Sequence, residues 1–228
     1  MCDIIFEDNH LLVAVKPQNV PVQLDNSQDK DFLTMLKDYL VKTYNKQGNA
    51  YLGLVHRLDR PTGGIMVFAK TSKCAERLSK QIKDRTMEKT YFAVLDGVVK
   101  LKNNRLVNYL KKDEKTNMVR ICPRFEEGAK EAILNYQVID VKDNKTLVKI
   151  DLETGRSHQI RVQFANLGCP VCNDQKYGTG TSKGNLALWA TQIKFDHPIS
   201  KNKHCFMVPP PYDAYPWNLF NQSKYTLL

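Results

Sequence analysis

Short strand-like segments recur along most of the chain, and they constrain its fold more than any other feature. β-Branched and aromatic residues are concentrated in each of them, and turn-forming or polar residues bound them. The segments cover residues 4–7, 11–16, 64–70, 90–96, 117–122, 132–139 and 146–152. The first two flank Asp8 and Asn9 and stop before Pro17, which predicts an opening hairpin. The sequence therefore predicts a domain built mainly on a β-sheet.

Helical spacing of apolar residues predicts three helices between and after these strands. The first runs from about Phe32 to Thr43, and the second covers residues 72–85. The third begins near Ser157 and runs toward Leu167, where glycine and proline follow as stop signals. Strands and helices together predict a mixed α/β fold.

The length of the chain and its composition favour one folded domain. The chain has 228 residues, of which 42% are apolar and 25% charged, as is usual in globular proteins. It shows no internal repeat and no long linker, so we expect a single domain over residues 1–228. Three consecutive prolines begin the segment 209–215, and they predict a tail that wraps over the domain surface.

The net charge favours a polyanionic partner. The chain carries 34 Lys and Arg against 24 Asp and Glu, which gives a formal net charge of +10. A basic field attracts nucleic acid and supplies binding that depends on salt but not on base sequence. The alternative interpretation is that these charges only keep the protein soluble.

The sequence contains no targeting or membrane segment that we can identify. The first residues, Met1 to Asp8, include acidic groups and lack the positive start of a signal peptide, so we expect a cytoplasmic protein. No apolar run approaches the roughly 20 residues that span a bilayer. The six cysteines are expected to be free thiols. Cys169 and Cys172 have no second matching ligand pair, so no metal site is expected.

The densest polar cluster lies in residues 56–64, just before an apolar strand. Asp59 stands there between Arg57 and Arg60. Nearby positive charge favours the ionised carboxylate, which can then act as a nucleophile or base. The alternative is a structural turn held by salt bridges.

A second cluster covers residues 154–161 and opens the third predicted helix. Backbone amides at a helix N-terminus attract anions, and Arg156 and Arg161 add positive charge there. Ser157 and Arg161 share one helix face, while His158 points elsewhere. By itself, His158 is more typical of a core or surface histidine than of a catalyst. A basic stripe on the second helix, formed by Lys73, Arg77 and Lys80, could follow a phosphate backbone or simply face solvent.

Taken in order, these motifs resemble those of the RluA-type pseudouridine synthases over nearly the whole chain. The matching residues are Glu7-Asp8-Asn9-His10 with Lys16-Pro17, His56-Arg57-Leu58-Asp59 with Thr62 and Gly64, Lys89, Tyr91 and Gly97, Thr154-Gly155-Arg156-Ser157-His158-Gln159-Ile160-Arg161-Val162, and Gly168, Pro170, Asp174, Tyr177 and Gly178. Four ordered motifs, the last of them followed by the matching residues from Gly168 to Gly178, are more specific than any one motif. Three positions depart from the family pattern, namely Gly63, Asn173 and Trp189, and none of them removes a proposed catalytic group.

The resemblance implies a role for individual residues. Asp59 would be the catalytic aspartate, Arg161 would hold its carboxylate in an ion pair, and Tyr91 would pack against the target base. Tyr91 is also a candidate for handling a proton, and Arg57 would take part in displacing the target nucleotide. The remaining candidates for RNA binding are His56, Arg60, Arg156, His158, Lys73, Arg77 and Lys80.

The resemblance also implies a fold and a reaction. The fold would be a long, largely antiparallel mixed sheet, flanked by helices and loops around a central basic cleft. The reaction would isomerise uridine in ribosomal or transfer RNA to pseudouridine, without cofactor or metal. We expect a monomer that lacks the S4-type RNA-binding domain found in many relatives.

Two other functions stay open on the sequence alone. One is an RNA-binding protein that keeps the fold and has lost turnover. The other is a hydrolase in which Asp59 works with His56 or His158 as an acid and base pair.

Overall fold

The structure is a computed structural model that describes residues 2–25, 27–178 and 184–226. Its strands, in chain order, are β1 (Asp3–Glu7), β2 (Leu11–Lys16), β3 (Gly53–Leu54), β4 (Gly63–Ala69), β5 (Glu88–Asp96), β6 (Asn103–Asp113), β7 (Met118–Cys122), β8 (Lys130–Lys142), β9 (Lys145–Leu152), β10 (Leu188–Asp196) and β11 (Lys203–Met207). Its helices are α1 (Phe32–Thr43), α2 (Ser72–Lys83) and α3 (Gln159–Asn166). The expected mixed α/β fold with a large sheet is confirmed.

The chain divides into two compact units. The first unit contains residues 1–88 and 192–208, and the second contains residues 89–191 and 209–228. Strand β10 contributes residues to both, because its last five residues belong to the first unit. The single domain expected from the sequence stays a prediction.

In the first unit, β2 pairs antiparallel with β1 and β4, and β3 also pairs with β4. All residues of β2 and β4 are buried. Strands buried on both faces are apolar throughout rather than alternating, and Lys16 at the end of β2 is the exception. Helix α2 covers this sheet with Cys74 and Leu78, which pack against Val13 and Val67.

In the second unit, the strands lie in the order β5-β9-β8-β6-β7, and each neighbouring pair is antiparallel. Helix α3 contacts β6 and β7 and places Val162 in a cluster with Leu110, Val119 and Ala132. The tail residue Tyr225 is buried against Phe92, with ring centroids 5.6 Å apart. The tail therefore packs onto β5.

Several elements differ from the sequence-based prediction. Strands β3, β6, β10 and β11 were not predicted. Helix α3 begins at Gln159 rather than near Ser157, because His158 has a φ of +52°, in the left-handed region. Within the described residues, no helix is long and apolar enough to cross a membrane.

Candidate active site

Asp59 lies at a tight turn directly before β4. The backbone N–H of Thr62 donates to the carbonyl oxygen of Asp59 at 2.9 Å and closes this turn. The neighbouring Leu58 is buried and fixes the segment to the interior, while Asp59 itself is half-buried. The backbone at Asp59 is therefore fixed by the turn and by Leu58, and the residue is partly exposed.

A buried lysine, Lys16, donates a hydrogen bond to the backbone of the Asp59 turn. Lys16 Nζ donates to the carbonyl oxygens of Pro17 at 2.8 Å, Val20 at 2.7 Å and Arg60 at 3.0 Å. These three acceptors match the three N–H donors of an ammonium group. Burial lowers the pKa of Lys16 to about 7, although the negative charge of Asp59 opposes this shift. The sequence placed Lys16 only in the opening strands and did not reveal its contact with the turn.

The two arginines beside Asp59 have different surroundings. Arg60 donates from Nε to the carbonyl oxygen of Asn19 at 3.1 Å and forms ion pairs with Asp25 and Asp29. Arg57 is exposed, and no residue in the described ranges forms a hydrogen bond or ion pair with its side chain. Arg57 therefore presents an exposed charge without a described counter-ion two residues before Asp59, whereas Arg60 ties the turn to the preceding loop.

His56 is fixed by the backbone of β4. Its Nε2 accepts a hydrogen bond from the N–H of Val67 at 3.1 Å. An accepting Nε2 carries no proton, so the neutral ring is protonated on Nδ1. His56 thus has a structural contact that the sequence did not indicate, and this contact occupies its Nε2.

The basic stripe on α2 is only partly available to a ligand. Arg77 donates from Nη1 to the carbonyl oxygen of Pro198 at 2.7 Å, which joins the helix to the segment after β10. Lys80 forms an exposed ion pair with Asp84. Lys73 is exposed and has no polar partner in the part of the chain that the structure describes. Of the three residues, Lys73 fits an RNA contact best.

Tyr91 lies in the second unit on β5, opposite Ile150 of β9. Its side chain is 6% exposed. Lys89 lies two residues earlier and therefore on the same face of the strand. Thr90, on the opposite face, donates from Oγ1 to Asp151 Oδ1 at 2.6 Å.

Arg161 and Asp174 form a buried two-point ion pair. The Nε–Oδ2 and Nη2–Oδ1 distances are both 2.7 Å. Burial by itself would raise the pKa of Asp174, but the guanidinium and the backbone N–H groups of Lys176 and Tyr177 hold it below its usual value. The sequence singled out both residues but did not predict this pair.

A second set of contacts surrounds this pair. His158 Nδ1 lies 2.7 Å from the hydroxyl of Tyr177, which also accepts the N–H of Val119 at 2.8 Å. The guanidinium of Arg161 lies over the Tyr177 ring, 5.3 Å from its centroid. Arg156 is exposed and donates from Nε to the carbonyl oxygen of Glu131 at 2.8 Å. The segment before α3 is therefore anchored to the segment around Asp174, with His158 inside the network rather than open to a ligand.

Comparison with known proteins identifies a family. The sequence profile described as RNA pseudouridylate synthase matches residues 10–166. A Bacillus subtilis protein, "Uncharacterized RNA pseudouridine synthase YhcT", is 33% identical over 92% of this chain and 69% of its own length. A "Ribosomal large subunit pseudouridine synthase C" from Buchnera aphidicola is 32% identical over 92% of this chain and 67% of its length. The solved structure "Human RNA Pseudouridylate Synthase Domain Containing 4" has a TM-score of 0.77 at 22% identity, covering 92% of this chain and 88% of that one, and supports the fold.

Proposed function

Because the chain belongs to the RNA pseudouridylate synthase family, we propose that Asp59 is the residue with which it converts uridine in RNA into pseudouridine. The observation that carries this proposal is the position of Asp59. It lies within the matched range, on a turn that Lys16 and Thr62 hold in place, with the exposed charge of Arg57 two residues before it.

The reaction explains why one well-placed carboxylate is sufficient. Pseudouridine forms when the bond from ribose C1′ to uracil N1 breaks and a bond from C1′ to C5 replaces it, while C5 loses its proton and N1 gains one. The change is an isomerisation, so it needs neither an oxidant nor an energy source. A carboxylate can attack the ribose, attack the uracil ring or act as a base, and each role requires an ionised and accessible group. The half-buried Asp59 meets the second requirement.

Three further residues supply the rest of the proposed chemistry. Tyr91 packs against the displaced base, since an aromatic ring stacks on any base and the enzyme must first extrude it. Its hydroxyl is a candidate for handling a proton. Arg57 occupies the space that the target nucleotide leaves, for which its exposed guanidinium is suited. Arg161 holds the carboxylate of Asp59 in an ion pair, as the resemblance implies, while Asp174 fixes the orientation of the Arg161 guanidinium.

The proposed substrate is ribosomal RNA of the large subunit. Several relatives at 30% identity or more are named ribosomal large subunit pseudouridine synthases. A net charge of +10 favours such a polyanion. We further propose that the protein acts in the cytoplasm as a monomer, with transfer RNA as the second substrate class to test.

Tritium release tests this proposal. Transcripts of large-subunit ribosomal RNA labelled with tritium at uracil C5 are incubated with the wild type, Asp59→Asn and Arg60→Gln. We expect release by the wild type and by Arg60→Gln, and none by Asp59→Asn, which keeps the side-chain volume and loses the charge. Release by Asp59→Asn would exclude Asp59 as the catalyst.

The same assay separates the alternative functions. A non-catalytic RNA-binding protein would bind the transcripts in a salt-dependent manner without releasing tritium from any of them. A hydrolase would liberate free uracil, whereas isomerisation leaves the mass of the RNA unchanged. Mass spectrometry of the digested RNA distinguishes these products.

A further inference from the structure

Lys89, near the start of β5, is a half-buried lysine with an unusual environment. Its side chain forms no hydrogen bond or ion pair with any residue in the described ranges. At the far end of the same strand, Lys145 Nζ lies 2.6 Å from Asp96 Oδ1, as is normal for a partly buried lysine. Burial lowers the pKa of Lys89, and no carboxylate offsets the effect. An uncompensated buried charge is costly, and such groups concentrate at functional sites.

Gly155 leaves space beside the Lys89 ammonium. A Cβ atom added at Gly155 would lie 3.4 Å from Lys89 Nζ. Gly155 and Arg156 are both exposed, so the backbone beside Nζ faces solvent. The loop itself is rigid, because Gln159 Oε1 accepts from Thr154 Oγ1 at 2.8 Å and from the N–H of Arg156 at 3.0 Å. Lys89 Nζ therefore lies beside a fixed segment of backbone that faces solvent.

Lys89 shares a strand face with the tyrosine proposed to contact the base. Residues two apart on a strand point to the same side and are separated by about 6.6 Å. Thr90 and Asp151 bond to each other on the opposite face, so Asp151 does not neutralise Lys89. A single nucleotide carries a planar base and a charged phosphate, which can meet two such neighbouring side chains together.

We propose that Lys89 Nζ binds a phosphate oxygen of the RNA, next to the nucleotide whose base packs against Tyr91. A lysine ammonium acts as a point charge for phosphate and needs no particular geometry. An anion at this site supplies the counter-charge that Lys89 lacks. The inference rests on the proposed function, because RNA is the ligand.

The salt dependence of RNA binding tests this contact. We would compare the wild type with Lys89→Gln and Lys89→Arg, using a fluorescent large-subunit ribosomal RNA transcript at several salt concentrations. The loss of one phosphate contact reduces the slope of log K against log[salt] by about 0.7 on single-stranded RNA. We expect this reduction and about tenfold weaker binding at low salt for Lys89→Gln, and near wild-type behaviour for Lys89→Arg.

A matched control removes the same charge elsewhere. Lys142 is exposed at the end of β8, opposite Lys145 of β9. Lys145 is also opposite Asp96, at the end of β5 that is far from Lys89 and Thr90. Lys142→Gln is expected to keep the wild-type slope. Gly155→Ala keeps every charge but places a methyl group close to Lys89 Nζ, so we expect this variant to bind RNA more weakly as well. It provides a second test if Lys89→Gln folds poorly.

The outcomes distinguish this inference from the function on which it rests. If the wild type releases tritium while Lys89→Gln and Lys142→Gln both keep the wild-type slope, the phosphate contact is wrong and the function stands. If the wild type binds RNA without releasing tritium, the proposed reaction fails, but the slopes still decide whether Lys89 contacts phosphate. A lower melting temperature of Lys89→Gln with an unchanged slope would assign the residue a structural role.

Discussion

The guanidinium of Arg161 and the carboxylate of Asp174 face each other through two parallel hydrogen bonds of 2.7 Å. Only 4% of the Arg161 side chain and none of the Asp174 side chain is exposed. This geometry fixes the arginine in one orientation, because a two-point contact restricts rotation of both planar groups. Arg161 is therefore a rigid donor, as its proposed role requires.

Asp174→Asn is expected to destabilise the protein and to reduce turnover. Removing one partner of a buried ion pair leaves an uncompensated charge and costs about 3–5 kcal/mol. Urea unfolding at pH 7 measures this loss, and tritium release measures the effect of a loosened Arg161. Asp84→Asn, which breaks the exposed pair with Lys80, serves as the control and is expected to change neither quantity appreciably.

The cost of Asp174→Asn is also expected to depend on pH. The pKa of Asp174 is lowered in the folded protein, so its contribution to stability is present above the unfolded pKa of about 3.9 and is lost as the pH falls below it. The difference in unfolding free energy between wild type and variant should therefore shrink under acidic conditions. A difference that stays constant down to pH 3 would contradict this account.

Arg57→Gln and Arg60→Gln are expected to affect different properties of the protein. Arg57 is exposed without a described polar partner, so its loss should lower turnover and reduce the salt slope of RNA binding by about 0.7. Arg60 is held by Asp25, Asp29 and Asn19, so its loss should leave the slope unchanged, and because these ion pairs are exposed it should lower the melting temperature only slightly. A similar reduction of the slope in both variants would show that both arginines contact RNA.

Lys16 is expected to make stability rise with pH above neutrality. Its pKa is about 7 in the folded protein and about 10.4 in the unfolded chain, which therefore binds more protons between these values. Unfolding free energy should increase by up to about 1.4 kcal/mol per pH unit in this range. Nuclear magnetic resonance of 13C-labelled lysines should show one Cε signal that titrates near pH 7 and disappears in Lys16→Gln. Lysine signals that all titrate near 10.4 would contradict the prediction.

His197→Ala is expected to cost stability without loss of activity. His197 is buried, its Nε2 lies 2.9 Å from Asp8 Oδ2, and its Nδ1 accepts the N–H groups of Ile199 and Ser200 at 3.2 and 3.0 Å. An alanine leaves these groups without a partner, at about 1–3 kcal/mol. Thermal unfolding measures the loss, while kcat for tritium release should hold. A variant of normal stability but reduced kcat would assign His197 a part in the reaction.

The sequence predicted the elements whose residues have a clear periodic pattern. Both strands of the opening hairpin, β4, β5 and helices α1 and α2 were expected close to their observed bounds. Strand β6 was missed because Leu106 and Leu110 are its only buried residues, and polar groups surround them. No local pattern distinguishes such a strand from a loop, since its pairing with β8 is what stabilises it.

The candidate site was predictable in its residue types but not in its contacts. The motifs singled out Asp59, Tyr91 and Arg161. They could not show that Lys16 supports the Asp59 turn, because the contact joins residues 44 positions apart and uses a backbone carbonyl. The RNA-binding roles of Arg60 and His56 stay predictions, and the motifs did not show the contacts of these side chains with Asn19 and Val67. Side-chain partners depend on the folded geometry, which charge and spacing along a chain do not specify.

The contacts of Lys16 predict where sequence variation is tolerated. Its three acceptors are main-chain oxygens of Pro17, Val20 and Arg60, which every amino acid possesses. Replacing the side chain at position 20 or 60 leaves the acceptor in place, whereas replacing Lys16 removes all three bonds together. A saturation-mutagenesis screen should therefore accept many residues at position 20 and almost none at position 16, although the two positions take part in the same interaction.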